Sequence, residues 1–231
     1  MIYSIARLAV CILFLSLASY TDIKTREIKN WIWIGLSMAG ITILLIQLFL
    51  DQIGLINLLG IPLMCGFAYL FFYLGMLAGA DAKALMALSL AVPLWPQLGT
   101  YPVFSSVLPF PFAVFINSIL LVIPLMIVFC LYNVVKGNRE FPYLFFGYKV
   151  PFEKANESFV WPIESVEAGK RKIALSRNKD KNEVLKELAS KGKNEVWITA
   201  ELPYTVFLLI GLVISYFIGD AVGYGVLQIA G

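Results

Sequence analysis

Histidine is absent from the 231 residues, and that single absence removes several chemistries. Ser-His-Asp and Cys-His nucleophile systems are excluded, as is any zinc site with a histidine ligand. Cysteine is scarce: Cys11, Cys65 and Cys130 stand singly in apolar sequence, with no C-x-x-C pair. An odd count argues against a disulfide framework, and isolated cysteines read as small buried apolar side chains. Charge is scarce as well, at 14% of residues, where an ordinary soluble domain has about 25%. With 60% hydrophobic residues and a mean hydropathy of +0.82, that deficit is explained only if much of the surface faces lipid. The chain reads as a polytopic membrane protein whose chemistry rests on carboxylates, Lys, Tyr, Ser or Thr.

A membrane-crossing helix needs about 20 apolar residues, and six stretches approach that length. The first is Ile2–Tyr20, interrupted only by Arg7 and lacking a small-residue cleavage site after it, so it reads as a retained span rather than a cleaved signal. A charged stretch, 21–30, leads into a second span, Trp31–Leu50, and the third runs Leu55–Leu77. A shorter fourth, Ala82–Trp95, is closed by Pro93 and Pro96; the fifth is Phe112–Val135 and the sixth Leu202–Gly219.

Lys and Arg favour the cytoplasmic face. With the N-terminus outside, every Lys and Arg except Arg7 falls in 21–30, around residue 81, or in 136–201, and the external loops 51–54 and 96–111 contain none. That distribution predicts a cytoplasmic location for all three charged segments. The expected domains are therefore a membrane domain at 1–135, a small cytoplasmic α/β insertion at 136–201, and a sixth helix with an external C-terminus at 202–231. Within the insertion, Asp180–Lys191 has a helical pattern with Val184, Leu185 and Leu188 on one face and Gly192 beyond its end. Lys172–Ser176, Glu195–Ala200 and Tyr143–Val150 read as strands. The segment carries 13 basic against 10 acidic residues, too small an excess to suggest nucleic acid, and no RNA-binding motif is present. Lys170-Arg171-Lys172 reads as an exposed turn, with contact to anionic lipid as the alternative.

Two acids stand out. Asp81 lies in a short break, Leu77-Ala78-Gly79-Ala80-Asp81-Ala82-Lys83, at the edge of an apolar run. A carboxylate at the centre of a membrane helix costs roughly 2.5–3.5 kcal/mol on insertion scales and less near the interface, so an acid held there is a candidate for function. The plainer reading makes it an N-cap of the fourth helix. Asp22 is either a solvated juxtamembrane charge or a helix cap, or the partner of Asp81, because the topology puts both at the same face. Two carboxylates brought together in a partly desolvated site share one proton. The ionised member takes a proton from water as it attacks a carbonyl, and the protonated member donates to the carbonyl oxygen and then to the leaving amine. Lys83, two positions on from Asp81, does not share its helical face and is expected to snorkel or to tune the local field. Gly75 and Gly79 have the spacing of close helix packing, with a helix break at the end of the third span as the equal alternative.

The string Thr21-Asp22-Ile23-Lys24-Thr25-Arg26-Glu27-Ile28-Lys29-Asn30 resembles the first catalytic segment of the type IV prepilin peptidase superfamily: an Asp at the end of the first span, a basic residue, then Ile-x-Asn. Ala78-Gly79-Ala80-Asp81-Ala82-Lys83 resembles the second, the G-x-G-D-x-K region of these membrane aspartic proteases. The order, spacing and six-span pattern are similar to the archaeal branch, the preflagellin (archaellin) peptidases, which carry a cytoplasmic insertion before the last span.

The resemblance implies an aspartic endopeptidase of the cell membrane that removes short basic signal peptides from archaellin and pilin-like precursors at the cytoplasmic face. It implies Asp22 and Asp81 as the catalytic pair, Ala78, Gly79, Ala80 and Lys83 as residues shaping the site, and no cofactor or metal. The family's two glycines are here Ala78 and Ala80, and alanine does not readily adopt a left-handed backbone. The paired C-x-x-C zinc segment and a G-x-G-x-x-G string are absent, so the methyltransferase activity of bifunctional bacterial relatives is not expected. The readings from other classes are an ion- or proton-coupled transporter using the two acids and a non-catalytic membrane scaffold.

Overall fold

In the computed structural model the described residues are 1–156, 159–167, 170–173, 180–190 and 194–230, with the backbone alone for 166–167, 170–173 and 226–230. Most of the chain is helical. Among the described residues, four helical stretches are long and apolar enough to cross a membrane: Ile2–Thr25, Asn30–Phe49, Leu55–Tyr73 and Phe110–Val135. The chain divides into two compact units, 1–121 with 203–231, and 122–202.

In the first unit, α1 (Ile2–Thr25) continues five residues past the expected end of the first span. Nothing between Tyr20 and Thr25 breaks a helix. Thr21 and Thr25 return their hydroxyls to carbonyls one turn back, Thr21 to Ala18 at 2.9 Å and Thr25 to Thr21 at 3.0 Å. The helix stops at Arg26, which is left-handed at φ 57°. Asp22, expected in a charged loop, therefore sits in the last turn of α1. The next helix, α2 (Asn30–Phe49), leads to a 3-10 turn (Leu55–Leu59) that runs into α3 (Gly60–Tyr73). Gly75, at φ 72°, ends α3. The Met76 amide bonds the Phe71 carbonyl at 2.9 Å and the Gly75 amide bonds that of Phe72 at 3.0 Å, the Schellman arrangement that a left-handed glycine permits. Of the two readings of Gly75, the helix break holds, and the third span stops short of Leu77.

The helix α4 (Gly79–Ala91) starts three residues earlier than expected and ends four earlier. Its 13 residues span about 20 Å at 1.5 Å each, less than the ~30 Å of a hydrocarbon core. It is buried nearly all round, with Ala82, Ala84, Leu85, Ala87, Leu88 and Ala91 in the core. Its alanines let α2 and α3 approach closely. The tightest approach is at Gly40 of α2, where an added Cβ would lie 2.5 Å from the Ala91 Cα. The expected fifth span consists of α5 (Phe110–Leu120) and α6 (Ile123–Val135), with a turn at Leu121–Val122. Pro124 explains the interruption, since it has no N–H for the Leu120 carbonyl and its ring crowds it. The helix α6 groups with the second unit.

In the second unit, α6 is followed by a 3-10 turn at Tyr143–Phe145 where a strand was expected, and then by β1 (Tyr148–Pro151) and α7 (Phe152–Ala155). After them come β2 (Val160–Pro162), β3 (Glu164–Glu167), β4 (Lys170–Ile173), α8 (Lys181–Ala189) and β5 (Glu195–Ala200). The sheet order is β1-β5-β2, all antiparallel, and β3 and β4 form a separate antiparallel pair. The expected amphipathic helix is α8, which buries Val184, Leu185 and Leu188 and is capped by the Asp180 carboxylate accepting from the Asn182 amide at 3.1 Å. These side chains pack with Val150, Val196 and Ile198 of the sheet and with Ala155 of α7. The Lys170-Arg171-Lys172 run lies on β4 rather than in a turn. Residues 174–176 of the expected strand and Gly192 lie outside the described residues.

In the first unit again, α9 (Tyr204–Phe217) packs against α5 and α1, and α10 (Ala221–Ala230) follows. The start of α10 is capped by Asp220, whose carboxylate accepts from the Gly223 amide at 3.0 Å. The cysteines are all free.

Candidate active site

Asp22 and Asp81 come from different helices, and each stands near a helix end for a local reason. Asp22 is carried by the last turn of α1, which the two threonine back-bonds support. Asp81 occupies the first turn of α4 and is not its cap. The cap position is Ala78, in an extended conformation at φ −71° and ψ 154°, with no side-chain bond to the helix start. The N-cap reading of Asp81 is thus corrected by two facts: Asp81 has helical geometry, and the residue before the helix cannot cap it. A carboxylate in the first turn is still favoured there, because the helix N-terminus carries about half a positive charge.

The same geometry explains the two alanines. Ala78 is extended, Ala80 is helical, and neither needs a positive φ. Gly79 is helical as well, and a Cβ on it would meet only the Phe72 ring at an ordinary 3.5 Å. Lys83 is exposed and directs its ammonium at the Asn30 side-chain oxygen, 2.9 Å away. That bond joins the second turn of α4 to the first residue of α2.

The start of α9 is the part that sequence reasoning missed. Thr205, fully buried, donates its hydroxyl to the Asp22 carboxylate at 2.8 Å. The neighbouring Tyr204 lies close enough to Asp81 to interact with it electrostatically. Its hydroxyl shares a 2.6 Å hydrogen bond with Ser118 of α5. Two consecutive residues of one helix thus interact with acids carried by two other helices, Thr205 through a hydrogen bond and Tyr204 through its electrostatic field. The signal was present in the sequence: a Tyr-Thr pair opens the last apolar run, at the face where Asp22 and Asp81 were expected. Chemically, the arrangement offers two carboxylates at one end of a helical bundle, one of them held by a neutral hydroxyl rather than by a cation. Among the described residues no group of three or more His, Cys, Asp or Glu side chains is placed to hold a metal ion.

Two family models match the chain. Residues 9–136 match the type IV leader peptidase family, and residues 139–221 match the archaeal peptidase A24 C-terminus, type II. The first match contains Asp22 and Asp81, and the second contains Tyr204 and Thr205. Among curated proteins, the chain is 32% identical to a preflagellin peptidase of Methanococcus voltae, over 93% of this chain and 95% of that protein. It is 28% identical to a preflagellin peptidase of Methanococcus maripaludis, over 90% and 93% of the two chains. With the preflagellin peptidase of Methanocaldococcus jannaschii the identity is 26%, over 90% and 92%.

Proposed function

The chain belongs to the type IV leader peptidase family, and from that premise we propose that it is an aspartic endopeptidase that cleaves the leader from archaellin precursors, with Asp22 and Asp81 as its catalytic pair. What supports the pairing is the start of α9, where Thr205 bonds Asp22 and the adjacent Tyr204 lies within electrostatic range of Asp81. In this reading one carboxylate is ionised and removes a proton from water as the water attacks the scissile carbonyl. The other is protonated, donates to the carbonyl oxygen, and then gives its proton to the departing amine. Thr205 fixes the rotamer of Asp22, and Tyr204 and Ser118 anchor the start of α9 beside Asp81. The small side chains of Ala78, Gly79 and Ala80 leave room for close approach to Asp81, and Lys83 holds α4 to α2 from outside the pair.

Six membrane crossings complete the proposal: α1, α2, Leu55–Tyr73, α4, Phe110–Val135 and α9. The helix α4 is short for a crossing, but it lies inside the bundle, where non-helical flanks are tolerated. The distribution of Lys and Arg supports an outside N-terminus, with the catalytic end and the segment 136–201 in the cytoplasm. The domain plan that goes with it is a membrane domain at 1–135, the insertion at 136–201, and a last helix with an external C-terminus at 202–231. Pilin-like precursors with a short basic leader are proposed as further substrates. A transporter is disfavoured by the family match, and acids at one end of the bundle suit it poorly, since carriers place them near the midplane.

The test uses purified full-length protein and an archaellin precursor with a basic leader, comparing the native chain with Asp22→Asn and Asp81→Asn. The expected result is loss of the cleaved product in both variants while gel filtration and circular dichroism are unchanged. Full activity in either variant would sink the pair.

A further inference from the structure

At the end of α4 remote from Asp81, a cavity of about 360 Å³ is lined by Ser4, Arg7, Gln47, Gln97 and Tyr216 among others. Its size lies within the ~300–1,000 Å³ of small-molecule sites. Arg7, the one basic residue that interrupts the first span, is only 6% exposed. Its guanidinium donates to the carbonyl of Ala91, the last residue of α4, and to the Gln47 side-chain oxygen at 2.7 Å. Those bonds use two of the five N–H donors of an arginine. Among the described residues Arg7 has no carboxylate partner, and no Asp or Glu lines the cavity. Asp51, next in sequence to a wall residue, is exposed and not on the wall.

Taking a charge out of water costs several kcal/mol in a real protein. The C-terminal end of α4 offers about half a negative charge in return, which offsets only part of a full positive charge. A second group is left over at the same place. Tyr216 is completely buried, and its hydroxyl has no hydrogen-bond partner among the described residues. Buried hydroxyls are nearly always bonded, so an orphan on a residue that lines a cavity points to an acceptor there.

We infer that this cavity binds a phosphate-type anion, whose oxygens accept from Arg7 and from the Tyr216 hydroxyl, with the Gln97 and Ser4 side chains at its rim. The anion supplies the full negative charge and the acceptor that the protein itself does not. The phosphate belongs either to a lipid headgroup, whose acyl chains leave between the apolar helices, or to a free inorganic ion. The site is separate from the acids at the other end of α4, so it stands or falls independently of the proposed cleavage chemistry.

The test is thermal unfolding of the full-length protein in a neutral detergent, read by intrinsic fluorescence. One arm adds inorganic phosphate against chloride of equal ionic strength; the other adds phosphatidylglycerol against phosphatidylcholine in mixed micelles. A saturable rise in Tm with phosphate assigns the site to a free anion, and a rise with phosphatidylglycerol alone assigns it to a headgroup. No rise beyond the chloride and phosphatidylcholine controls overturns the proposal. Tyr216→Phe removes one oxygen and leaves the packing in place, and it is expected to raise the half-saturating concentration about tenfold. Gln97→Glu adds a negative charge to the wall and is expected to abolish the stabilisation. Unchanged saturation in both variants would also overturn it.

Discussion

At the N-terminal end of α4, Asp81 stands in the first helical turn, and Asp22 of α1 accepts from Thr205 of α9. At the C-terminal end the guanidinium of Arg7 donates to the Ala91 carbonyl and to Gln47. At both ends the sign of the charge is the one that the helix dipole favours. Asp22 and Arg7 are also alike in being held by neutral partners, a hydroxyl in one case and carbonyl oxygens in the other. The ends differ in how firmly the backbone is fixed. The C-terminal end is pressed against Gly40 and clamped by a buried arginine, whereas the N-terminal end has no side-chain cap at Ala78 and is joined to α2 by the exposed Lys83 in the second turn. The end of α4 opposite Asp81 is thus the one held by a buried clamp and by close backbone packing.

That contrast can be broken at several points. The largest effect is expected for Asp22→Asn and Asp81→Asn, each lowering the cleavage rate by about 10²–10⁴-fold, the usual contribution of a general acid or base. Initial rates with a precursor measure it, and the Tm of both variants is expected to stay near that of the native chain. At the anchored end, Gly40→Ala places a methyl 2.5 Å from the Ala91 backbone and is expected to cost about 1–3 kcal/mol of stability through overpacking. Thermal unfolding in detergent reads that loss, which should exceed the loss from Gly79→Ala, where the added methyl meets only a ring at van der Waals distance.

Thr205→Val deletes the hydroxyl that holds Asp22 and is expected to slow cleavage about tenfold, the worth of one hydrogen bond to a charged group. Thr205→Ser is expected to recover most of the rate, and failure of that rescue would mean that Thr205 acts through packing alone. The smallest effect belongs to Lys83→Gln. Its bond to Asn30 is exposed, and exposed polar pairs contribute about 0–1 kcal/mol, so both rate and Tm should change little.

Much of this was legible before any coordinates. The stretches 2–20 and 31–49, and 112–135 on either side of the turn at Leu121–Val122, are helical because long apolar runs leave the backbone no other way to satisfy its hydrogen bonds in lipid. The helical pattern of Val184, Leu185 and Leu188 and the β-branched run at Glu195–Ala200 were equally readable. Pro124 stands inside the fifth run, but hydropathy does not register its missing N–H, so the run reads as one span. The α1 extension through Asp22 was hidden for a similar reason: charged residues ended the apolar run without ending the helix.

Residue types and their order were enough to determine that this chain is a membrane protein without histidine chemistry, that its acids lie at the ends of apolar runs, and where its basic residues concentrate. Those properties are sums over local side chains, and each can be counted along the chain. The tertiary structure alone decided which helix lies inside the others, that Thr205 bonds Asp22 across 183 positions, and that Arg7 meets the end of α4 across 84. Hydrogen bonds of that kind act only within about 3 Å. No composition or periodicity encodes which distant segments will come that close, because packing of the whole bundle sets it.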